Sequence, residues 1–352
     1  MSASAEATVE TLKSPVPLMG YGTFIGMEGE DTLPVAERNA LVTQSIIEAL
    51  KCGYRHFDLA EAYSNLDAVG KAFKVAFKSV DEEGLGLERN SIWVTLKSDS
   101  TELESIDALI SKIGIGYVDT YMLHHPYAYA FDSEEILFRT LQKLSQLPKD
   151  LVHSYGVSNC YAPHIDRIIK VCLKNRFDFP ISNEVESNPL CPNSNTIKLC
   201  QNHNIQVIAY SPLGYNFAGE LLTNECFLGI DNPIIALAKE LDVKAAQLVL
   251  AWHMANGVAV IPKTTKVDRM VENFRALEIV DRLKATPLLC DSFEHIQGML
   301  PTVTETAMHA LSCSEALTWT VAMPGKAETL LWRDDEPPKP SALVSGSQYS
   351  KK

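Results

Sequence analysis

Four residues of the sequence have the chemistry of a proton-transfer site: Asp58 in RHFDLAEAY, Tyr63 five residues on, Lys97 at the end of WVTLK and His124 at the end of YVDTYMLH. A free phenol has a pKa of about 10 and is a poor proton donor at neutral pH unless its phenolate is stabilised. An ammonium such as Lys97 can lower the pKa of Tyr63. Asp58 can hold that ammonium charged and in place, and His124 can hydrogen-bond an incoming oxygen. Such a set suits acid-base chemistry on a carbonyl group. Taken singly, each of the four fits a surface ion pair, a capped turn or a rim aromatic equally well. Their common position at the ends of apolar runs gives the set its weight.

A site of this kind needs elements that end at one place. Short β-branched runs alternate with longer amphipathic stretches from about residue 36 to 278, the pattern of repeated strand-helix units around a parallel sheet. The expected strands are 18–23, 56–59, 92–97, 117–124, 152–159, 181–186, 205–211 and 258–263. The expected helices are 36–52, 66–80, 101–113, 133–145, 163–174, 195–202, 233–255 and 266–276. In the first helix Val42, Ile46, Ala49 and Leu50 recur at i, i+4, i+7 and i+8 and make one apolar face. Eight strands are the number at which a parallel sheet closes into an α/β (β/α)8 TIM barrel, whose reactive groups collect at the C-terminal strand ends. The alternative, an open doubly wound sheet, lacks its usual GxGxxG loop after the first strand.

The sequence divides into an N-terminal arm (1–16), the barrel (17–284), an atypical C-terminal appendage (285–336) and a Pro- and Ser-rich tail expected to be disordered (337–352). With 352 residues, 46% of them hydrophobic, the chain can bury a large core. A formal charge of −13 without a long basic run argues against nucleic acid as a partner. The eight cysteines form no CxxC pair or His/Cys metal spacing, so reduced thiols and no metal are expected. No apolar run reaches membrane-spanning length, the N-terminus has no leader pattern, and the final Ser-Lys-Lys departs from a peroxisomal signal. The expectation is a cytoplasmic protein acting on a small molecule, its oligomeric state open.

The motifs MGYGTF, GYRHFDLAEAYSN, VTLK, YVDTYMLHHP, YGVSN, AYSPLG and VIPKTTKVDRMVENF, in this order over residues 17–277, resemble the successive signatures of the aldo-keto reductase family. The resemblance implies a (β/α)8 barrel that binds NADPH and reduces aldehydes or ketones, or runs the reverse oxidation. It places the catalytic tetrad at Asp58, Tyr63, Lys97 and His124, with Tyr63 giving a proton to the carbonyl oxygen as hydride arrives at its carbon. By the same likeness Ser158, Asn159 and Glu184 lie at the nicotinamide carboxamide, and Tyr210 stacks on its ring. Ser211, Leu213 and Gly214 follow the pyrophosphate. Lys263, Thr264 and Arg269 grip the 2′-phosphate, Glu272 and Asn273 meet the adenine, and Gly22 and Thr23 approach the nicotinamide ribose. A cluster of cations there favours NADPH over NADH.

The pattern departs in several places. The family's Asn-Gln pair is here Asn183 and Glu184, so a carboxylate stands where an amide is usual; it fits either a cofactor contact or a structural salt bridge. Asp99 and His125 stand where Trp, or Trp and Phe, are common, and with Phe24 and Tyr127 they define an expected substrate pocket that is unusually polar. Residues 25–35 carry an insertion, and the sequence after 285 does not resemble the loop that shapes substrate choice in the family. The leading expectation is an NADPH-dependent reductase, in one version a tailoring enzyme dedicated to one metabolite. The alternative is a regulatory or scaffold subunit that binds NADPH with little turnover.

Overall fold

The computed structural model describes residues 16–25, 32–126, 133–189, 191–214, 222–223, 226–227 and 230–284. Eight parallel strands follow one another around the molecule: β1 (Tyr21–Gly22), β2 (His56–Ala60), β3 (Trp93–Ser98), β4 (Val118–Leu123), β5 (Val152–Ser158), β6 (Ser182–Glu186), β7 (Gln206–Tyr210) and β8 (Ala259–Val260). The last returns to the first. Met19 bridges Val260, the Gly20 N–H donates to the Val260 carbonyl at 2.8 Å, and the Val260 N–H donates to the Leu18 carbonyl at 2.8 Å. The sheet thereby becomes the expected (β/α)8 barrel.

Its helices are α1 (Val35–Cys52), α2 (Leu66–Phe77), α3 (Leu103–Ile113), α4 (Glu134–Ser145), α5 (Ala162–Asn175), α6 (Ser194–Asn202), α7 (Pro233–Glu240), α8 (Ala245–Ala255), α9 (Val267–Phe274) and α10 (Ala276–Lys284). A two-residue antiparallel ladder, Cys226–Phe227 with Ile230–Asp231, precedes α7. The face read from α1 is the one buried: Val42, Ile46, Ala49 and Leu50 are all in the core. Gly53 ends that helix at φ 107°, a left-handed cap open to glycine at no steric cost.

Strands alternate faces with a period of two, so residues two apart look the same way. The His56 Nε2 lies 3.1 Å from the Thr95 hydroxyl inside the barrel. Two residues further along each strand stand Asp58 and Lys97, and the register sets Ala60 beside Lys97 and Ser158 beside Glu184. Strand pairing alone therefore delivers three ionisable side chains to one end of the barrel interior.

Three expectations from the sequence need correction. The stretch 233–255 is two helices, because Asp242 takes φ 54° and the Val243 N–H donates back to the Ala238 carbonyl at 3.0 Å while the Asp242 N–H reaches Lys239, a Schellman closure. No glycine or proline marks that break. The stretch 258–263 contributes two ladder residues, Ala259 and Val260, although the Ile261 N–H still donates to the Ala209 carbonyl and the Pro262 carbonyl accepts from the Gly22 N–H, both at 3.2 Å; Pro262 has no N–H to carry the ladder on. The stretch 266–276 holds α9 alone, and a further helix, α10, follows it and packs on α8. The arm before residue 16, the loop containing Tyr127, and everything after 284, including the expected appendage and tail, lie outside the described residues. No described helix is long and apolar enough to cross a membrane.

Candidate active site

At the C-terminal rim of the barrel, Lys97 from β3 is fully buried, and its ammonium binds the Asp58 carboxylate from β2. It also lies 2.8 Å from Glu184 Oε1 of β6, and neither acid is more than 2% exposed. Tyr63 ends the short 3-10 turn Glu61–Tyr63 after β2, and its hydroxyl donates to Asp58 Oδ2 at 3.4 Å. Its ring sits 5.2 Å from the Lys97 ammonium and 6.0 Å, nearly edge-on, from the imidazole of His124. The four residues expected to form the tetrad are thus neighbours, although they span 66 positions of sequence from Asp58 to His124.

The electrostatics refine the expectation for Tyr63. Its pKa is raised, because burial outweighs the lowering effect of Lys97, and Asp58 and Glu184 add to the rise. The phenol therefore rests protonated, as a loaded donor. Burial lowers the Lys97 pKa, yet the two carboxylates outweigh it and hold the ammonium charged. Glu184 is pushed up to about 8, first by burial and then by the Asp58 charge, with Lys97 opposing. His124 is pushed down to about 2 by burial, Lys97 and His125, and so stands as a neutral imidazole.

Behind this cluster a second network ties β4 through β7 together. The Asn159 side-chain amide donates to the His124 carbonyl at 2.9 Å, and the Tyr210 hydroxyl donates to Asn159 Oδ1 at 2.9 Å. Ser158 donates to the Glu184 carbonyl at 3.0 Å, and the Asn159 N–H donates to the same oxygen at 2.8 Å. Asn159 itself takes φ 58°, a left-handed turn that asparagine tolerates. Ser211 and Gly214, at φ 46° and 83°, shape the turn after β7 that also contains Leu213. Gly22 is packed so closely that a Cβ would meet the Ile261 carbonyl at 2.9 Å, with Lys263 Cβ next to it. Thr264 is buried, its carbonyl accepting from the Tyr21 hydroxyl, and its own hydroxyl accepts the Lys266 N–H. Arg269, Glu272 and Asn273 ride on α9, Arg269 exposed and Asn273 buried.

Thr23 is tied into the backbone of the site. Its hydroxyl donates to the Asp58 carbonyl at 2.7 Å, and its own carbonyl accepts from Asn65, a buried residue the sequence did not single out. The pair braces the backbone that carries Asp58. Phe24 lies against the Tyr63 ring, centroids 5.1 Å apart. Asp99 and His125 form a pair of their own, the His125 N–H donating to Asp99 Oδ1 at 3.0 Å and its ring Nδ1 lying 3.2 Å from Oδ2. Asp99 also lines a pocket of about 220 Å³, together with Glu61, Ala62, Ser98, Ser100 and His124. Glu61 and Ser98, hydrogen-bonded at 2.6 Å, were missed. The only signal for them was their adjacency in sequence to Tyr63 and Lys97. Among the described residues no cluster of His, Cys, Asp and Glu has the arrangement of a metal site.

The family profile described as Aldo/keto reductase family matches residues 18–285. A D/L-glyceraldehyde reductase of Hypocrea jecorina is 32% identical over 306 residues, covering 80% of this chain and 86% of its own. Among solved structures, an aldo-keto reductase from a Medee basin deep-sea metagenome library is 26% identical with a TM-score of 0.61, covering 80% of this chain and 91% of its own. A Bombyx mori aldo-keto reductase in complex with NADP is 26% identical with a TM-score of 0.59, over 77% and 89%. The chain belongs to the aldo/keto reductase family, and with it to the NADPH-dependent oxidoreductases that reduce carbonyl groups.

Proposed function

We propose that this enzyme reduces small, polar aldehydes with NADPH, Tyr63 giving up the proton and Lys97, Asp58 and His124 assisting it. The observation that carries this reading is the buried Lys97 ammonium, held by carboxylates within reach of a protonated phenol at the barrel rim. The residues present fit the cofactor. Glu184 Oε2 is a buried oxygen lacking a hydrogen-bond partner among the described residues, on the strand next to Ser158 and Asn159, where a carboxamide would need polar partners. Ser158, Asn159, Glu184 and Tyr210 would hold the nicotinamide end. Ser211, Leu213 and Gly214 would follow the pyrophosphate, with Gly22 close to the ribose. Lys263, Thr264 and Arg269 would take the 2′-phosphate, beside Glu272 and Asn273 at the adenine. Bound there, NADPH supplies the hydride.

The chain's own residues supply the rest. His124, neutral at all ordinary pH values, can donate a hydrogen bond to the carbonyl oxygen without competing as an acid. Tyr63 then protonates that oxygen. The phenolate it leaves lies beside a permanent cation in a desolvated site, where the attraction far exceeds its value in water. The mouth supports the substrate class: Glu61 and Asp99 line the pocket together with two serines and His124, which suits hydroxyl-bearing aldehydes and disfavours carboxylate-bearing ones. The activity in the name of the Hypocrea relative, reduction of glyceraldehyde, is of this kind.

The test is NADPH oxidation with glyceraldehyde and a panel of neutral, anionic and aromatic aldehydes, alongside NADPH binding followed by fluorescence. Tyr63→Phe should lower kcat by about 10²–10⁴-fold with NADPH affinity nearly unchanged, as loss of a positioned general acid does. Full activity in that variant would remove Tyr63 as the donor. Tight NADPH binding with no turnover of any carbonyl by the unmodified protein would instead favour a regulatory subunit.

A further inference from the structure

The barrel mouth buries one cation with two acids. Lys97 binds Asp58 and lies 2.8 Å from Glu184, and all three side chains are essentially cut off from water. If all three were ionised the cluster would carry one uncompensated negative charge, which a dehydrated site tolerates poorly. Two further observations point to how that is avoided. Glu184 Oε2 is buried without a hydrogen-bond partner among the described residues, and Asp58 and Glu184 converge on the same Lys97 ammonium. When two acids share one site, ionising the second is disfavoured by the charge of the first, so one of the pair holds its proton to higher pH.

We propose that Glu184 is a positioning residue that carries a proton at neutral pH, so that its protonation state sets the charge beside Tyr63 and thereby the ease of proton donation from that phenol. The inference rests on the reductase reading above and adds to it a residue in which this chain departs from the family's usual glutamine. When Glu184 is protonated, the Lys97 charge is matched by Asp58 alone, and its remaining field meets the phenolate as it forms. When Glu184 is ionised, a second negative charge opposes that phenolate. The protonated acid also offers one donor and one acceptor, as an amide does, whereas a carboxylate only accepts. The titratable groups that act on Glu184 or feel it are Asp58 from β2, Tyr63 from the turn behind it, Lys97 from β3 and Tyr210 from β7, and of these only Lys97 is cationic. His124, after β4, is coupled to Lys97 and His125. Burial and the Asp58 charge, both raising the Glu184 pKa, agree with this assignment.

The experiment is an infrared titration of the full chain, which requires no turnover, together with the pH profile of kcat for glyceraldehyde reduction at saturating NADPH. Near neutral pH the unmodified protein should show a protonated-carboxyl band that fades on raising the pH. The band should be absent in Glu184→Gln and retained in Glu186→Gln, which alters the other acid on the same strand. The unmodified enzyme should lose kcat by about tenfold per pH unit above the Glu184 titration, and Glu184→Gln should lack that limb. A missing band, a band removed by Glu186→Gln instead, or identical pH profiles in the two enzymes would overturn the proposal. If the unmodified protein turned over no carbonyl at any pH, the reductase reading would fall, while the infrared arm would still decide whether Glu184 carries the proton.

Discussion

Lys97 holds the site together because it is the sole cation among three buried ionisable side chains. Replacing it by methionine keeps the volume but leaves Asp58 and Glu184 facing each other without compensation. Breaking a buried ion pair from one side costs about 3–5 kcal/mol. Lys97→Met should therefore lower the urea midpoint by that measure as well as abolish reduction, and Lys97→Met with Glu184→Gln should recover part of the stability and none of the activity. An unchanged midpoint in the single variant would show that the acids are not strained against each other. At this scale the sequence was informative wherever chemistry follows from residue type: Asp58, Tyr63, Lys97 and His124 are unusual polar ends of apolar runs, and the structure brings them together. The Glu184 contact with Lys97 was not legible as a contact. The two lie on β6 and β3, and only closure of the barrel brings those strands face to face. The lowering of the Tyr63 pKa expected from Lys97 was incomplete for the same reason, since it omitted the burial that outweighs it.

At the scale of elements, β5 and β6 frame the ledge that carries Ser158, Asn159 and Glu184, the proposed nicotinamide site. Gly156 in β5 has no room for a side chain: a Cβ would stand 2.8 Å from the Ser182 hydroxyl, 2.9 Å from the Ser182 carbonyl and 3.0 Å from Met122 Cγ. Gly156→Ala must push β5 away from β4 or β6, two residues before Ser158. Such overpacking costs about 1–3 kcal/mol. We expect a lower thermal midpoint and, because Ser158 and Asn159 both hydrogen-bond the Glu184 carbonyl across this joint, weaker NADPH binding by fluorescence titration. Stability lost with affinity intact would separate the frame from the ledge. Most element positions were legible, because buried strands read as apolar runs and helices as one-sided stripes. The turn that splits α7 from α8 was not, since an aspartate in a left-handed conformation leaves no mark in an apolar pattern that continues on both sides.

For the whole molecule, the buried histidines set the response to acid. His56, His164 and His253 are each pushed down to about 4, by burial above all, and His124 to about 2. The unfolded chain takes up protons near pH 6.5 that the native state refuses. Stability is therefore fully present above that value and is lost as pH falls toward 4, by up to about 1.36 kcal/mol per pH unit for each group. Glu184 works in the opposite sense: its raised pKa gives stability that is present in acid and lost as pH rises from about 4.5 through about 8. Urea midpoints measured from pH 4 to 9 should peak near neutrality, with the alkaline decline reduced in Glu184→Gln; a flat profile below pH 6.5 would show that the histidines open to water.

The sequence by itself determined the strand-helix rhythm, the count of eight strands and the residue types able to move a proton, because these depend on local periodicity and on side-chain chemistry. The tertiary structure decided which charges face one another. Burial depth and the distance between β3 and β6 exist only once Val260 has closed the sheet on Met19. Those two quantities turn an acid that looked like a cofactor contact or a salt-bridge partner into the third member of the Lys97 cluster.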